Sequence, residues 1–114
     1  MKEYITLKRR FATVSMLREI AVLLDSGFNF RQAVYVSASD HLDPETGRAI
    51  LGAVGTQDEA EPAFPASFFV VVNDSPDLFP MFVREVLHRN ADKPNPQTLR
   101  EAADILHQRL HFLV

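Results

Sequence analysis

Residues 23–34 have the sequence LLDSGFNFRQAV, which ends one amphipathic helix on a glycine and begins the next within three residues. Gly27 suits the left-handed backbone position just past a helix C-terminus, because that conformation is costly for any residue with a Cβ atom. Asn29 suits the N-cap of the next helix, because its side-chain oxygen can accept a hydrogen bond from the first turn. Phe28 and Phe30, on either side of Asn29, are expected to tie the turn to the core. The segment predicts two antiparallel helices joined by a tight turn.

Apolar residues at three- and four-residue spacing define the two helices on either side of this turn. The first helix is predicted over residues 11–26, and the second from Phe30 to about Ser39, with Ala33, Val34 and Ala38 facing inward. The inner stripe of the first helix consists of Val14, Leu17, Ile20, Ala21 and Leu24.

Helix start signals mark two further helices. Asp43 is an acidic N-cap followed by Pro44 at the first helical position, and the helix they begin is expected to fade at Gly55. Asn95 and Pro96 cap and start the last helix in the same way. Apolar residues expected on these two helices are Ala49, Ile50, Ala53 and Val54 on the former, and Leu99, Ala102, Ala103, Leu106 and Leu110 on the latter.

The middle of the chain is less regular. Residues Thr56 to Pro65 lack periodicity and contain Asp58, Glu59 and Glu61, so they predict an exposed acidic loop. The run Phe68 to Val72 is rich in β-branched residues, but no second strand-like run exists to pair with it, so we interpret it as a short buried helix. Leu78-Phe79-Pro80 then leads into a helix carrying Met81, Phe82, Val83, Val86 and Leu87. The fold class predicted is all-α, an antiparallel bundle of about six helices.

Composition limits the possible functions. The 114 residues predict one domain, 1–114, and the absence of cysteine excludes disulfides, thiolate nucleophiles and cysteine-based zinc sites. A net charge of -3 argues against nucleic-acid binding, since the one basic cluster is Lys8-Arg9-Arg10. That cluster suits anionic lipid headgroups or, equally, a solvated helix start. The chain shows no secretory signal and no apolar run of about 20 residues, so a cytoplasmic location is expected. Its apolar end, residues 110–114, predicts a fragment of a longer protein.

Candidate catalytic and metal sites are weak in this sequence. His107 and His111 lie four residues apart, with Asp104 one turn earlier, but the zinc-protease pattern would need Glu in place of Gln108. We expect structural or surface histidines and no metal site. The serines sit in no nucleophile context, and no phosphate-binding glycine loop is present, so neither a cofactor nor an enzymatic activity is predicted. The acidic residues between 58 and 61 are interpreted as a solvated loop rather than a calcium site.

The order of these features resembles the cytoplasmic F domain of inner-membrane platform proteins of type II secretion and type IV pilus systems. Residues 23–34 resemble the family's Leu-rich, Gly-containing turn, with Ala33-Val34 in place of an Ala-Leu pair. Residues 77–82 and 99–106 are similar to the segment that introduces its fifth helix and to its closing helix. Residues 89–96 depart from the Gly-Glu-x-x-Gly-like turn that usually precedes that last helix. The acidic loop is longer than the family's usual connection, which indicates a divergent pilus-type member.

This resemblance implies a scaffold on the cytoplasmic side of the bacterial inner membrane. Full-length members are membrane-embedded and hold their cytoplasmic domains against an assembly ATPase and other platform proteins. A weak homodimer is also expected. The residues predicted to bind partners are Asp58, Glu59, Glu61, Phe79, Phe82 and Arg84.

Two other functional classes remain open from the sequence. A helical DNA-binding regulator of the helix-turn-helix type is the main rival, since short helices and tight turns also build that unit, although the acidic balance disfavours it. A small enzyme or metal protein depends on His107 and His111 alone.

Overall fold

The computed structural model describes residues 2–55, 71–74, 76, 78–89 and 95–113. Within these ranges the chain is all-α, as predicted, and contains no strand. The helices are α1 (Lys2–Asp25), α2 (Phe30–His41), α3 (Pro44–Gly55), α4 (described over 71–74), α5 (Met81–Arg89) and α6 (Pro96–Leu113). None of the helices described is both long enough and apolar enough to cross a membrane.

Helix α1 is the centre of the bundle and packs against both α2 and α6, while α3 packs on α2 and α5 on α6. Two ion pairs fix the direction of α6 relative to α1: Arg18 with Asp104, and Asp25 with Arg100. Because the residue number rises along α1 while it falls along α6, the two helices are antiparallel. The buried face of α1 is formed by Val14, Met16, Leu17, Ile20 and Ala21.

The turn between α1 and α2 is fixed by backbone hydrogen bonds. Gly27 has φ +97°, the left-handed conformation predicted for it. The N–H of Phe28 donates to the carbonyl of Leu23 at 3.0 Å, and the N–H of Gly27 donates to that of Leu24 at 3.1 Å. This pair of bonds is the Schellman arrangement, which satisfies the last carbonyl groups of a helix.

The start of α2 is capped in both directions. Asn29 Oδ1 accepts from the backbone N–H of Gln32 at 2.8 Å, which confirms the predicted cap. In return the backbone N–H of Asn29 donates to Gln32 Oε1 at 3.2 Å. The two bonds form a capping box, and the part that Gln32 takes in it was not predicted.

The other two predicted helix starts are also confirmed. Asp43 Oδ2 accepts from the N–H of Thr46 at 3.0 Å, and α3 begins at Pro44. Asn95 Oδ1 accepts from the N–H of Gln97 at 3.0 Å, and α6 begins at Pro96.

Asp43 gives the fold an acid-sensitive contribution. Burial acts to raise the pKa of Asp43, but hydrogen bonds from Thr46 and the positive charge of Arg9 outweigh it and hold that pKa below its ordinary value. A carboxyl group with a lowered pKa in the folded state stabilises the fold above its unfolded-state pKa, and this contribution is lost as the pH falls through the folded-state pKa. We expect Asp43→Asn, which keeps a capping oxygen, to cost less than about 1 kcal/mol at neutral pH. In acid the cost should vanish.

Urea unfolding of Asp43→Asn and the unchanged protein, at neutral pH and well below the ordinary aspartate pKa of about 3.9, measures this difference. An equal difference in stability at both pH values would mean that the charge of Asp43 contributes nothing.

The predicted start of α1 and the predicted burial of Phe28 were wrong. Helix α1 begins at Lys2 rather than at residue 11, because residues 2–10 are mostly good helix formers and contain neither glycine nor proline. Phe30 is fully buried, but Phe28 is 43% exposed and does not tie the turn to the core. Ala49 and Met81 lie on α3 and α5 as predicted, and both are exposed, Met81 by 68%.

The apolar run 68–72 is described only over its last two residues. Val71 and Val72 are helical, as predicted, and Val72 is fully buried. Residues 68–70 lie outside the described residues, as does the predicted acidic loop. The inner stripe predicted for α6 is buried: Leu99, Ala102, Ala103, Leu106 and Leu110. Three of the apolar residues expected on α5, Val83, Val86 and Leu87, are buried as well.

Candidate interaction surface

The residues predicted to bind partners are not brought together into one surface by the described structure. Phe79 is fully buried, so it belongs to the core and has no surface to offer a partner. Phe82 is half-buried beneath Arg109, whose guanidinium carbon lies 4.3 Å from the ring centroid. Arg84 is half-buried, and its Nε atom has no hydrogen-bond partner among the described residues. The three predicted acidic residues, Asp58, Glu59 and Glu61, lie outside the described residues.

An apolar surface that the sequence analysis missed lies on the outer side of α2. Tyr35 is 51% exposed and Val36 is 36% exposed, and with Phe28 they surround a shallow depression of about 400 Å³. Arg31 and Gln32 complete its lining. We call these five residues the α2 face. The signal available in the sequence was the pair Tyr35-Val36, two large apolar residues outside the inward stripe of α2.

The α2 face is held in place by the packing behind it. The opposite side of α2 carries five buried residues: Phe30, Ala33, Val34, Ser37 and Ala38. Gln32, which lines the depression, is also half of the capping box that begins the helix. Both features order the face in the free protein, which reduces the entropy lost when a partner binds.

A second concave region lies where α1 meets the connection between α2 and α3. It has a volume of about 620 Å³ and is lined by residues of both elements: Lys8, Arg9, Ala12, His41, Leu42, Asp43 and Glu45. Arg9 Nε lies 3.5 Å from Asp43 Oδ1, and Arg9 Nη2 donates to Thr46 Oγ1 at 3.3 Å. One member of the basic cluster Lys8-Arg9-Arg10 is therefore tied into the fold, and less of its charge is available to an external anion.

Asp104 and His107 face a cation rather than each other. Arg18 Nη2 donates to Asp104 Oδ1 at 3.0 Å and lies 3.5 Å from His107 Nδ1. The ring of Phe11 meets that of His107 edge-on, with centroids 5.9 Å apart. These contacts give His107 a structural role between α1 and α6, and the side chain of His111 lies outside the described part of the chain.

A different group of ionisable residues is assembled where the end of α2 crosses α1. His41 Nε2 is hydrogen-bonded to Glu19 Oε2, and Asp40 lies beside them. Ligand atoms from the three side chains all lie within 4.8 Å of one another. Glu19 and His41 are half-buried, and Asp40 is exposed. Sequence reasoning missed this group, because 22 residues separate Glu19 from His41 and neither lies in a recognisable motif.

No protein-family model, curated protein or solved structure matches the chain. The resemblance to the platform F domain therefore stays a prediction.

Proposed function

We propose that the chain is a non-enzymatic interaction domain of a type II secretion or type IV pilus inner-membrane platform protein. In this proposal it docks the assembly ATPase and other platform subunits on the cytoplasmic side of the bacterial inner membrane. The observation that carries the proposal is the α2 face, where aromatic and aliphatic side chains are exposed on a helix whose other side is buried. The resemblance of residues 23–34 to the family's turn supports the proposal, because this turn sets the position of α2 and therefore of the α2 face.

The composition of the α2 face suits a protein partner. Aromatic residues and arginine are enriched at protein interfaces, and Tyr35, Phe28 and Arg31 supply both kinds of residue. Tyr35 is the strongest anchor, because its large ring loses little conformational entropy on binding and its hydroxyl group can donate to the partner. Truncation of such an anchor costs about 2 kcal/mol or more when it lies near the centre of an interface.

Charge would then set orientation and association rate more than affinity. The chain carries a net charge of -3, so we expect the partner to present a basic rim. Asp58, Glu59 and Glu61 are predicted to contribute to this attraction, and Phe82 and Arg84 to a second, smaller contact. A weak homodimer is part of the same proposal.

The proposal is tested by titrating the purified domain with the assembly ATPase. We expect saturable binding, and we expect Tyr35→Ala to weaken it by about tenfold or more, since a loss of 1.4 kcal/mol is tenfold in affinity. The melting temperature of Tyr35→Ala should stay close to that of the unchanged protein, because the side chain is half exposed. The matched control is Ile105→Ala, which removes another exposed apolar side chain, from α6.

Absence of binding at high micromolar concentration would count heavily against the proposal. An equal loss of binding in Tyr35→Ala and Ile105→Ala would exclude the α2 face as the contact. Retention of the domain on duplex DNA in a salt-dependent manner would favour the helix-turn-helix rival instead.

A further inference from the structure

We propose that Glu19, Asp40 and His41 form a binding site for a divalent transition-metal ion, with Zn²⁺ as the ion it takes. The site is independent of the docking function, because it lies on residues outside the α2 face. Glu19 comes from the C-terminal third of α1, while Asp40 and His41 come from the last turn of α2.

The spacing of the three side chains is close to what one ion needs. Zinc bonds to imidazole nitrogen and carboxylate oxygen are about 2.0–2.2 Å long, so tetrahedral ligand atoms lie roughly 3.3–3.6 Å apart. The ligand atoms of the three residues already lie within 4.8 Å of one another. Asp40 is exposed, so its side chain is free to turn toward an ion held by Glu19 and His41.

The donor set favours zinc over the alkaline-earth ions. One imidazole nitrogen and two carboxylates make three protein ligands, and a water molecule takes the fourth position of a tetrahedral zinc ion. Ca²⁺ and Mg²⁺ prefer ligand sets made of oxygen alone. The carboxylates of Glu19 and Asp40 supply too few oxygen ligands to hold either ion, and the imidazole of His41 does not suit them.

The metal-free arrangement prepares the first two ligands. His41 Nε2 donates a hydrogen bond to Glu19 Oε2, which holds the imidazole and the carboxylate facing each other. A metal ion takes the place of the proton on His41 Nε2: an imidazolium ring releases that proton to the solvent, and a neutral ring carries its single proton on Nδ1 instead. Arg9 is a cation that lines a cleft together with His41. Its guanidinium group is bound by Asp43 and Thr46, which are not among the three proposed ligands.

The ion reaches the site directly from the solvent, because Asp40 is exposed and Glu19 and His41 are only half-buried. A bound ion would link α1 to the C-terminal end of α2. The Gly27 turn links α1 to the N-terminal end of α2. Because the ion binds the folded chain and not the unfolded chain, its binding raises the thermal stability of the protein.

The test uses the full chain without a histidine tag, titrated with Zn²⁺ by calorimetry and with Co²⁺ by visible absorption. We expect one ion per chain, a rise in melting temperature with Zn²⁺, and no comparable binding of Ca²⁺. His41→Ala and Asp40→Asn should each weaken Zn²⁺ binding by about tenfold or more, which is the least expected when a ligand is lost. Because Asp40 is exposed, Asp40→Asn keeps the fold if His41→Ala does not.

The matched control is His88→Ala, which removes an exposed histidine from α5 and should leave Zn²⁺ affinity unchanged. The proposal is overturned if His41→Ala and His88→Ala bind Zn²⁺ alike, if Ca²⁺ binds as tightly as Zn²⁺, or if Zn²⁺ at high micromolar concentration leaves the melting temperature unchanged. None of these results would affect the docking proposal, whose readout is binding to the ATPase.

Discussion

Phe30→Ala is expected to lower the free energy of unfolding by about 3–5 kcal/mol, the usual cost of deleting a fully buried phenylalanine side chain. Phe30 is the first residue of α2 and is wholly buried in the core. The cost has two parts: the lost transfer of the ring out of water, and the cavity that α1 and α2 cannot fill by relaxing. Because a small domain is stable by only about 5–15 kcal/mol, the variant should unfold at a much lower urea concentration.

Phe28→Ala is the matched control for this prediction, since it makes the same change two residues earlier in the same turn. Phe28 is 43% exposed, so its removal should cost less than about 1 kcal/mol. Urea or thermal unfolding of the two variants side by side measures the difference. Equal destabilisation would contradict the burial of these rings described above.

Phe79→Ala is also expected to cost about 3–5 kcal/mol, because Phe79 is fully buried just before α5 begins. The result bears on function as well as on stability. If Phe79 contacted a partner, Phe79→Ala would weaken binding and change the stability of the domain little. If Phe79 is a core residue, Phe79→Ala shifts the unfolding transition. Binding then falls only because a smaller fraction of the protein is folded.

Met81→Ala is the control on the same segment, because Met81 is 68% exposed and should cost less than about 1 kcal/mol. Unfolding of Phe79→Ala and ATPase titration under conditions where it remains folded separate the two roles. Undiminished stability of Phe79→Ala, together with weakened binding, would return Phe79 to the partner surface.

The parts of the fold that were predictable depend on neighbours in sequence. Gly27 adopts a left-handed backbone conformation, and the side chain of Asn29 accepts from the N–H of Gln32, three residues later. Both features involve only residues that are close in sequence. Asp43 and Asn95 cap their helices in the same local way. The all-α class follows from such punctuation and from the apolar periodicity between the caps.

The parts that were not predictable depend on residues far apart in the chain. Phe28 and Phe30 are chemically alike, and only the position of α1 decides which ring is covered. Glu19 and His41 meet because two helices cross at that point, and no local pattern relates them. The α2 face differs, because Tyr35 and Val36 are large apolar residues outside the inward stripe of α2 and so gave a local signal; only their exposure depends on which elements pack nearby.

The packing of α1 against α6 sets the order in which the domain completes itself on the ribosome. Arg18 meets Asp104 and Asp25 meets Arg100, so the partners are made 86 and 75 residues apart. At about 5–20 residues per second, α1 waits roughly 4–17 seconds for its second neighbour to be synthesised, long after α2 has emerged. During that interval the apolar side of α1 that α6 will cover stays uncovered; α3 can pack on the α1–α2 hairpin, but the bundle is completed only after α6 leaves the exit tunnel.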